Sequence, residues 1–247
     1  AGELWQTLTD INPQHILKFG DKDNFWEMGE TGPCGPCSEI HIDLGPDACD
    51  RQGVKNHVCQ VNGDCGRYIE LWNLVFIQYN RNAKKELEPL KDKHVDTGAG
   101  LERLVCVLQG KKSNYDTDLF RPIIQILEEK SQKTYAGENG IAMRVIADHI
   151  RTLVFSISDG VIPSNEGRGY VIRRILRRAF RYGKKLGFQE PFLHSLVDKV
   201  IEIMGGAYPQ LIETQEKIKA TILREEERFA ETLDRGLDIF EKVVSFL

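Results

Sequence analysis

The spacing of apolar residues changes near the middle of the chain, and this change limits the fold more than any other feature. The first 110 residues are rich in Gly, Pro and Cys and contain short apolar runs. The remaining residues repeat apolar positions at helical spacing and contain little Pro. Residues 109–114 are typical of a linker. The sequence therefore predicts an α+β chain, with an antiparallel-sheet domain over 1–110 and an all-helical domain over 111–247.

The first domain contains several stretches with strand-like patterns. Residues 45–66, which are polar and hold three of the six cysteines, are expected to form an insertion loop. Residues 95–100 are expected to lead directly into a helix over 101–108. The predicted strands cover residues 4–8, 38–44, 67–80 and 95–100.

The second domain is expected to consist of helices. Asp116 is a candidate N-cap for the first of them, with Pro122 in its first turn. Helices are predicted over about 118–132, 141–157, 170–186 and 191–204. A long amphipathic helix closes the chain, with apolar residues at Ile218, Ile222, Phe229, Leu233, Leu237, Phe240 and Val244.

Composition excludes several classes of protein. Hydrophobic residues make up 41% and charged residues 28%, which is ordinary for a globular chain and unlike collagen or a disordered segment. No apolar run is long enough for a membrane-spanning helix. The sparse cysteines and the lack of a signal peptide predict a cytoplasmic protein with reduced thiols. The net charge of −4 argues weakly against a nucleic-acid partner.

The most informative motif is Asp-Thr-Gly-Ala-Gly-Leu-Glu-Arg at residues 96–103. A dinucleotide-binding loop is disfavoured, because the sixth position of that motif is Arg103 and no βαβ unit surrounds it. Gly98 and Gly100 leave one face of the strand bare, so a flat group can lie against the backbone. Arg103 lies one turn into the helix and can stack on a base or bind a phosphate. Asp96 can hold a cation or an ammonium group.

This motif resembles motif 3 of class II aminoacyl-tRNA synthetases, in the form found in the alanine-specific members. The resemblance covers nearly the whole chain. Four further segments agree with it, at residues 24–40, 69–76, 144–151 and 163–170. The resemblance implies that residues 1–110 are the C-terminal half of the catalytic domain and that residues 111–247 recognise the tRNA acceptor stem.

The resemblance implies a role for individual residues. Asp96 would hold the ammonium group of alanine, with Asn73 and Val75 lining the pocket and Trp26 forming a wall. Gly98 and Gly100 would lie against ATP, and Arg103 would stack on the adenine and reach the triphosphate. Glu70 would bind Mg²⁺ at the phosphates. Since Glu70 and Asn73 are three residues apart, both roles require a twist or a bulge in the strand.

The implied activity is ATP-dependent alanine–tRNA ligation, through alanyl-adenylate. Positioning and charge neutralisation would supply most of the rate enhancement. Motifs 1 and 2 of the family would precede Leu4, and motif 2 supplies the arginine that grips the α-phosphate. The segment is therefore expected to be inactive alone. The editing domain, which the family needs because a small pocket rejects glycine and serine poorly, is also expected elsewhere.

The cysteines admit other interpretations. Cys34 and Cys37 form a CxxC pair, but the strand that follows disfavours a redox site, which needs a helix N-terminus. Zinc is a rival for the insertion, whose candidate ligands are Cys49, His57, Cys59 and Cys65. Only one CxxC pair exists, so the thiols are expected to be small buried groups at a tight Gly-Pro turn rather than metal ligands.

Basic residues concentrate between positions 168 and 185, where no acidic residue occurs. The apolar side of this helix is expected at Val171, Ile175, Ala179 and Tyr182. Such a surface suits phosphate contacts, which position RNA without reading it. Asn165 lies just before it, and the family resemblance implies that this residue reads the G·U pair of the tRNA-Ala acceptor stem in the minor groove. The expected RNA-binding arginines are Arg168, Arg173, Arg174, Arg177, Arg178 and Arg181.

Two other functions remain open from the sequence. The first hypothesis is the ligase described above. The second is a non-catalytic fragment or paralogue that binds tRNA. A zinc-stabilised RNA-binding module is the third hypothesis. Alanine-dependent ATP–pyrophosphate exchange distinguishes the first from the second, and metal analysis tests the third.

Overall fold

The computed structural model describes the backbone of residues 1–244 and their side chains except those of residues 234, 237, 238, 241 and 243. The chain divides into two compact units, Ala1–Asn114 and Tyr115–Leu247. The first contains all the strands of the described chain, and the second contains helices only within its described residues. The α+β architecture expected from the sequence is therefore confirmed.

The first unit is built on a four-stranded antiparallel sheet in the order β1-β2-β3-β4. The side-chain oxygen of Asn82 stabilises the β3–β4 turn by accepting hydrogen bonds from the backbone N–H groups of Lys84 and Glu86. The strands predicted over 38–44, 67–80 and 95–100 are confirmed, although at least one end of each prediction is off by one residue and two of the observed strands begin several residues earlier. The strands are β1 Phe25–Glu27, β2 Gly32–Asp43, β3 Tyr68–Arg81 and β4 Leu87–Ala99.

Residues 4–8 form a helix, so the prediction of a strand there is wrong. The backbone N–H of Trp5 donates to the carbonyl of Ala1, and the Thr7 hydroxyl donates to the carbonyl of Glu3. Five residues are too few to distinguish a repeat of two from a repeat of 3.6. The α-helices of this unit are α1 Gly2–Leu8, α2 Asp21–Asn24 and α3 Leu101–Leu108, and 3-10 turns cover Pro13–His15 and Pro46–Ala48.

The second unit contains six α-helices within its described residues. The first begins at Arg121 after the cap residue Phe120, so Asp116 is not the N-cap that was expected, although Pro122 lies in the first turn as predicted. The helices are α4 Arg121–Ser131, α5 Gly137–Ser158, α6 Gly167–Leu186, α7 Val197–Met204, α8 Gln210–Glu213 and α9 Gln215–Val244. Leu193–Leu196 form a 3-10 turn, and another, Asn114–Asp116, lies at the boundary in sequence between the units.

One apolar core holds the second unit together, with α5 contributing most to it. The core side of α6 carries Ile172, Leu176 and Phe180, whereas Val171 is 54% exposed, so the expected apolar side of this helix is rotated by about one residue. In α9 the apolar stripe is buried at Ile218 and Ile222. Further along α9, Phe240 and Val244 of the same stripe are exposed. The side chain of Leu237 is not among those that the structure describes.

Among the described helices, none has the length and apolar character needed to cross a membrane.

Candidate functional site

The register of the sheet brings four expected site residues together. Asn73 on β3 lies opposite Gly98 on β4, and Val75 lies opposite Asp96. Side chains alternate between the two faces along each strand, so these two neighbouring pairs share one face. Val75 is buried and Asp96 is exposed. An apolar wall and a carboxylate therefore lie side by side on this face, next to a glycine.

A β-bulge adds Glu70 to the same face. Along β2 and β3, Ile40 pairs with Trp72 and the next residue, His41, pairs with Glu70, which leaves Leu71 as an extra residue on β3. One extra residue reverses the alternation of faces. The sequence requires a twist or a bulge if Glu70 and Asn73 are to lie on the same face, and the structure has such a bulge at Leu71.

Strand β2 contributes polar residues that sequence analysis missed. Asn73 Nδ2 donates a hydrogen bond of 2.9 Å to Glu39 Oε1, and His41 Nε2 lies 3.0 Å from Glu39 Oε2. Burial raises the pKa of the Cys37 thiol, and the negative charge of Glu39 raises it further. We call Asn73, Glu39 and His41 the polar row. Its only local signal in the sequence was the alternation of Cys37, Glu39 and His41 along β2.

The polar row leaves an acceptor free. Asn73 Oδ1 is buried and has no hydrogen-bond partner among the described residues. A buried acceptor without a donor is costly, so the site suits a ligand that brings one. Asp96 Oδ1 accepts a hydrogen bond of 2.8 Å from the backbone N–H of Thr97, which fixes the carboxylate at the open side. Together, the amide oxygen and the carboxylate fit an ammonium group.

Arg103 lies against the end of the bulged strand. Its Nη1 donates to the backbone oxygen of Glu70 at 2.8 Å and to Glu70 Oε2 at 3.3 Å. The arginine side chain folds back over Gly100, where an added Cβ would lie 3.1 Å from Arg103 Cδ. No atom would lie within 4 Å of a Cβ at Gly98. A flat group therefore has open space at Gly98, beside a half-exposed guanidinium.

The structure does not place Trp26 with this group. Trp26 lies on edge strand β1 opposite Gly35, and 36% of its surface is exposed. The Gly-Pro pair between Cys34 and Cys37 lies inside β2, so the expected tight turn is wrong. A Cβ at Gly35 would lie only 1.9 Å from the backbone oxygen of Phe76, which explains the glycine by close strand packing.

The insertion between β2 and β3 brings four candidate metal ligands together. The ligand atoms of Cys49, His57, Cys59 and Cys65 all lie within 4.8 Å of one another. The sequence favours buried thiols over a zinc site, because the spacing of these residues matches no double CxxC pattern. Turns in the loop, rather than sequence spacing, make them converge.

In the second unit, helix α6 displays the basic surface in two layers. Arg168, Arg174, Arg178 and Arg181 are exposed, whereas Arg173 and Arg177 are half-buried. The two half-buried arginines contact Glu225 of α9, an acid that sequence analysis did not single out. These residues line a groove of about 370 Å³, which also includes Asn165, Arg228 and Arg235.

Glu225 and Arg173 hold Asn165 in one orientation. Arg173 Nη2 donates to Glu225 Oε2 at 3.1 Å, and Arg173 Nη1 donates to Asn165 Oδ1. The side chain of Glu225 is only 5% exposed, so its charge is balanced almost entirely by arginines. Because Arg173 occupies the amide oxygen, Asn165 presents its amide N–H₂ group outward, as a hydrogen-bond donor.

Comparison with known proteins agrees with these features. The family model for class II (A) tRNA synthetases matches residues 1–247. The chain is 57% identical, over 99% of its length, to an alanine–tRNA ligase of Chlorobium chlorochromatii (strain CaD3), and 52% identical over the same share to one of Salinibacter ruber (strain DSM 13855 / M31). It spans 27% of the length of each relative. The chain belongs to the class II (A) tRNA synthetase family.

Proposed function

We propose that this chain is part of an alanine–tRNA ligase that activates alanine with ATP and transfers it to the 3′ end of tRNA-Ala. The observation that carries the proposal is the register that sets Asp96 and Asn73 beside Gly98 on one sheet face. The names of the relatives support the choice of alanine. In this proposal, Ala1–Asn114 supplies part of the catalytic domain and Tyr115–Leu247 binds the acceptor stem. A cytoplasmic location, expected from the cysteine usage, belongs to the same proposal.

The amino-acid pocket is assigned to the polar row and its neighbours. The Asp96 carboxylate and the unpartnered Asn73 Oδ1 receive the alanine ammonium group. Val75, which is buried, contacts the methyl group. The Glu39 carboxylate orients Asn73 through the 2.9 Å hydrogen bond, so that the amide oxygen faces the ligand.

ATP is assigned to the end of the sheet where β4 passes into α3. The nucleotide lies over Gly98 and Gly100, and Arg103 stacks on the adenine and reaches the phosphates. The half-exposed Glu70 carboxylate fits Mg²⁺, which proteins commonly bind through one or two carboxylates together with substrate phosphates. The ion, when bound, would neutralise charge on the phosphates. The Leu71 bulge is what places Glu70 on the face where it could hold this ion.

The chemistry requires positioning more than proton transfer. The alanine carboxylate oxygen attacks the α-phosphorus, the bond from that phosphorus to the bridging oxygen breaks, and pyrophosphate leaves with the bonding electrons. A hydroxyl of the terminal tRNA ribose then takes the alanyl group, and AMP leaves. This chain's residues hold the two reacting groups, and the remaining contacts to the α-phosphate are assigned to other residues of a longer protein.

The tRNA is assigned to the α6 surface and Asn165. Exposed arginines contact phosphates, while Asn165 offers its amide N–H₂ to acceptors in the minor groove at the G·U pair. Arg173 and Glu225 are positioning residues in this scheme, since they fix the amide rather than contact the base.

Binding of a non-hydrolysable alanyl-adenylate analogue to the 247-residue chain tests the catalytic assignment. Asp96→Asn removes the charge that pairs with the ammonium group, so we expect affinity to fall at least about tenfold. Asp92→Asn, on the same exposed strand, is the matched control and should bind like the unsubstituted chain. Equal affinity of the Asp96→Asn variant and the original chain in calorimetry would refute the pocket assignment. In the exchange assay, we expect this chain alone to show no alanine-dependent ATP–pyrophosphate exchange.

Two acceptor-stem minihelices, one with G·U and one with G·C, test the reader assignment. Asn165→Asp keeps the oxygen that accepts from Arg173 but removes the donor, so the preference for G·U should disappear. Asn139→Asp adds the same charge elsewhere in the unit and should leave the ratio of the two affinities unchanged. A retained G·U preference in Asn165→Asp would show that another residue reads the pair.

A further inference from the structure

The loop between β2 and β3 is long and has little regular structure. Within residues 44–67 only the 3-10 turn Pro46–Ala48 is regular, and no strand partner holds the remainder. Loops of this length need a fixed point other than backbone ladders, because ordering each residue costs conformational entropy. Yet Cys49 is buried within this loop, and the His57 side chain is only 8% exposed.

The side chains at that point are soft metal ligands at close range. His57 Nε2 lies 3.3 Å from Cys49 Sγ and 3.4 Å from Cys59 Sγ. Cys65 completes the set, and all four ligand atoms lie within 4.8 Å of one another. In tetrahedral zinc, bond lengths of about 2.3 Å to sulfur and 2.0 Å to nitrogen place neighbouring ligand atoms about 3.5 to 3.8 Å apart. The two distances from His57 Nε2 to the thiols, 3.3 and 3.4 Å, are close to the value for zinc.

The second nitrogen of His57 has the partner that metal-binding histidines usually have. Its Nδ1 lies 3.3 Å from Asp64 Oδ1, on the side away from the thiols. Arg51 Nη1 in turn donates to Asp64 Oδ2 at 2.5 Å. A carboxylate at Nδ1 fixes the proton there and leaves Nε2 as a free donor of electrons to a metal.

We propose that Cys49, His57, Cys59 and Cys65 bind one structural zinc ion. Three thiolates and one imidazole form a closed four-coordinate set, which leaves no position for substrate or water. Such soft ligands favour zinc over the magnesium assigned to the ATP phosphates. The site is distinct from the polar row of the sheet, because none of its four ligands lies on a strand.

The ion would fix one wall of a cavity in the first unit. Residues 59–62 line this space of about 570 Å³, and so do Glu39 and His41 of the polar row. At the end of the loop, Arg67 binds both carboxylate oxygens of Asp43, at 2.7 and 2.6 Å. The zinc and this ion pair would therefore hold the loop at two points. The expected effect of metal loss is a disordered wall beside Glu39.

Metal analysis of the 247-residue chain, purified with zinc in the medium and reduced thiols, tests the proposal. We expect one zinc per chain. Substitution by Co²⁺ should give the visible absorption of a tetrahedral thiolate site. Cys59→Ser and Cys65→Ser should lose the bound zinc, whereas Cys106→Ser, at a buried thiol on α3, should keep it. A metal-free chain, or equal zinc loss in Cys106→Ser, would overturn the assignment.

A milder variant guards against simple misfolding. Asp64→Asn leaves all four ligands in place and should weaken zinc binding about 10- to 100-fold in a chelator competition. His57→Cys retains four ligands and should still bind cobalt, with a spectrum shifted toward four thiolates. Unchanged zinc affinity in Asp64→Asn would contradict the orientation of His57 that the proposal needs. A disulfide between two of the cysteines in the zinc-supplemented, freshly purified chain would contradict the site itself.

Discussion

Glycine occupies two positions of the sheet for opposite reasons. At Gly35 a Cβ would lie 1.9 Å from the backbone oxygen of Phe76, so the strands pack too closely for any other residue. At Gly98 a Cβ would meet nothing within 4 Å. The first glycine is required by the fold, and the second is free for the ligand proposed to lie there.

Alanine substitutions separate these reasons. Gly35→Ala should lower the free energy of unfolding of the first unit by about 2 kcal/mol, because inserting a methyl group forces the strands apart. Urea denaturation followed by tryptophan fluorescence measures this directly, since all three tryptophans, Trp5, Trp26 and Trp72, belong to that unit.

The matched control is Gly98→Ala. It should unfold like the original chain but bind the alanyl-adenylate analogue at least about tenfold less tightly, because the methyl group occupies the space of the nucleotide. Equal stability of Gly35→Ala and the original chain would contradict the steric explanation.

At the scale of elements, a buried carboxylate joins α9 to the 3-10 turn Leu193–Leu196. Glu226 Oε1 accepts hydrogen bonds of 2.8 Å from the backbone N–H groups of Phe192 and Leu193, and Oε2 accepts one of 3.0 Å from His194. These donors have no helical partner at the start of a turn. Glu226 therefore caps one element from another, at a position that is fully buried.

Replacing Glu226 with Gln should destabilise the second unit. An amide nitrogen would replace Oε2, and it has no lone pair available to accept from the backbone N–H of His194, as either form of the carboxyl can, so that buried donor would lose its acceptor at a cost of about 2 kcal/mol at pH 5. Glu227→Gln, at the exposed neighbouring position, should change stability little. Urea denaturation monitored by far-ultraviolet circular dichroism measures both variants.

The pH dependence of this effect has a defined sign. Burial raises the pKa of Glu226 above its ordinary value of 4.5, even though backbone donors oppose the shift. The protonated form is thus favoured in the folded state, so its stabilisation is complete below pH 4.5 and falls as the pH rises through the raised pKa. The difference in stability between the original chain and Glu226→Gln should narrow with rising pH. A widening difference would show that the carboxylate is the favoured form.

Helix α5 supports the second unit through one face only. Ile150 is fully buried, whereas Ile141, on the same helix, is 55% exposed. Ile150→Ala should lower the free energy of unfolding by about 3 kcal/mol, because it leaves a cavity in the core. Ile141→Ala should change it by less than about 0.5 kcal/mol. If the two variants had the same denaturation midpoint, the division of α5 into a buried and an exposed face would be contradicted.

At the scale of the whole molecule, charge is distributed unevenly. The net charge is −4, yet eight basic residues and no acid occur between positions 168 and 185. Helix α9 supplies Glu225, which partly neutralises Arg173 and Arg177 and leaves the exposed arginines to act on a partner. Net charge therefore gives no argument against the RNA binding that we propose for this chain.

The salt dependence of RNA binding should follow the exposed arginines. The double substitution Arg174→Ala and Arg178→Ala should weaken binding to both minihelices equally and reduce the slope of log affinity against log salt by about two. Lys130→Ala with Lys217→Ala removes the same charge from exposed positions elsewhere and should leave the slope unchanged. A slope that is insensitive to the arginines would place the RNA on another surface.

By itself, the sequence determined the α+β class, most strands and helices, and the candidate residues Asp96, Gly98, Arg103 and Asn165. Repeats of two and 3.6 residues and glycine positions are local signals, so they can be recognised without a fold. The short helix Gly2–Leu8 was missed because the five residues 4–8 carry too little periodicity.

Only the tertiary structure decided which residues meet. The Leu71 bulge, the row from Glu39 to Asn73 and the contact of Glu225 with Arg173 join positions that are distant in sequence. The convergence of Cys49, His57, Cys59 and Cys65 depends on loop turns that no cysteine spacing rule describes. Strand register and helix packing set these contacts through the whole unit, and a local pattern holds no information about a partner tens of residues away.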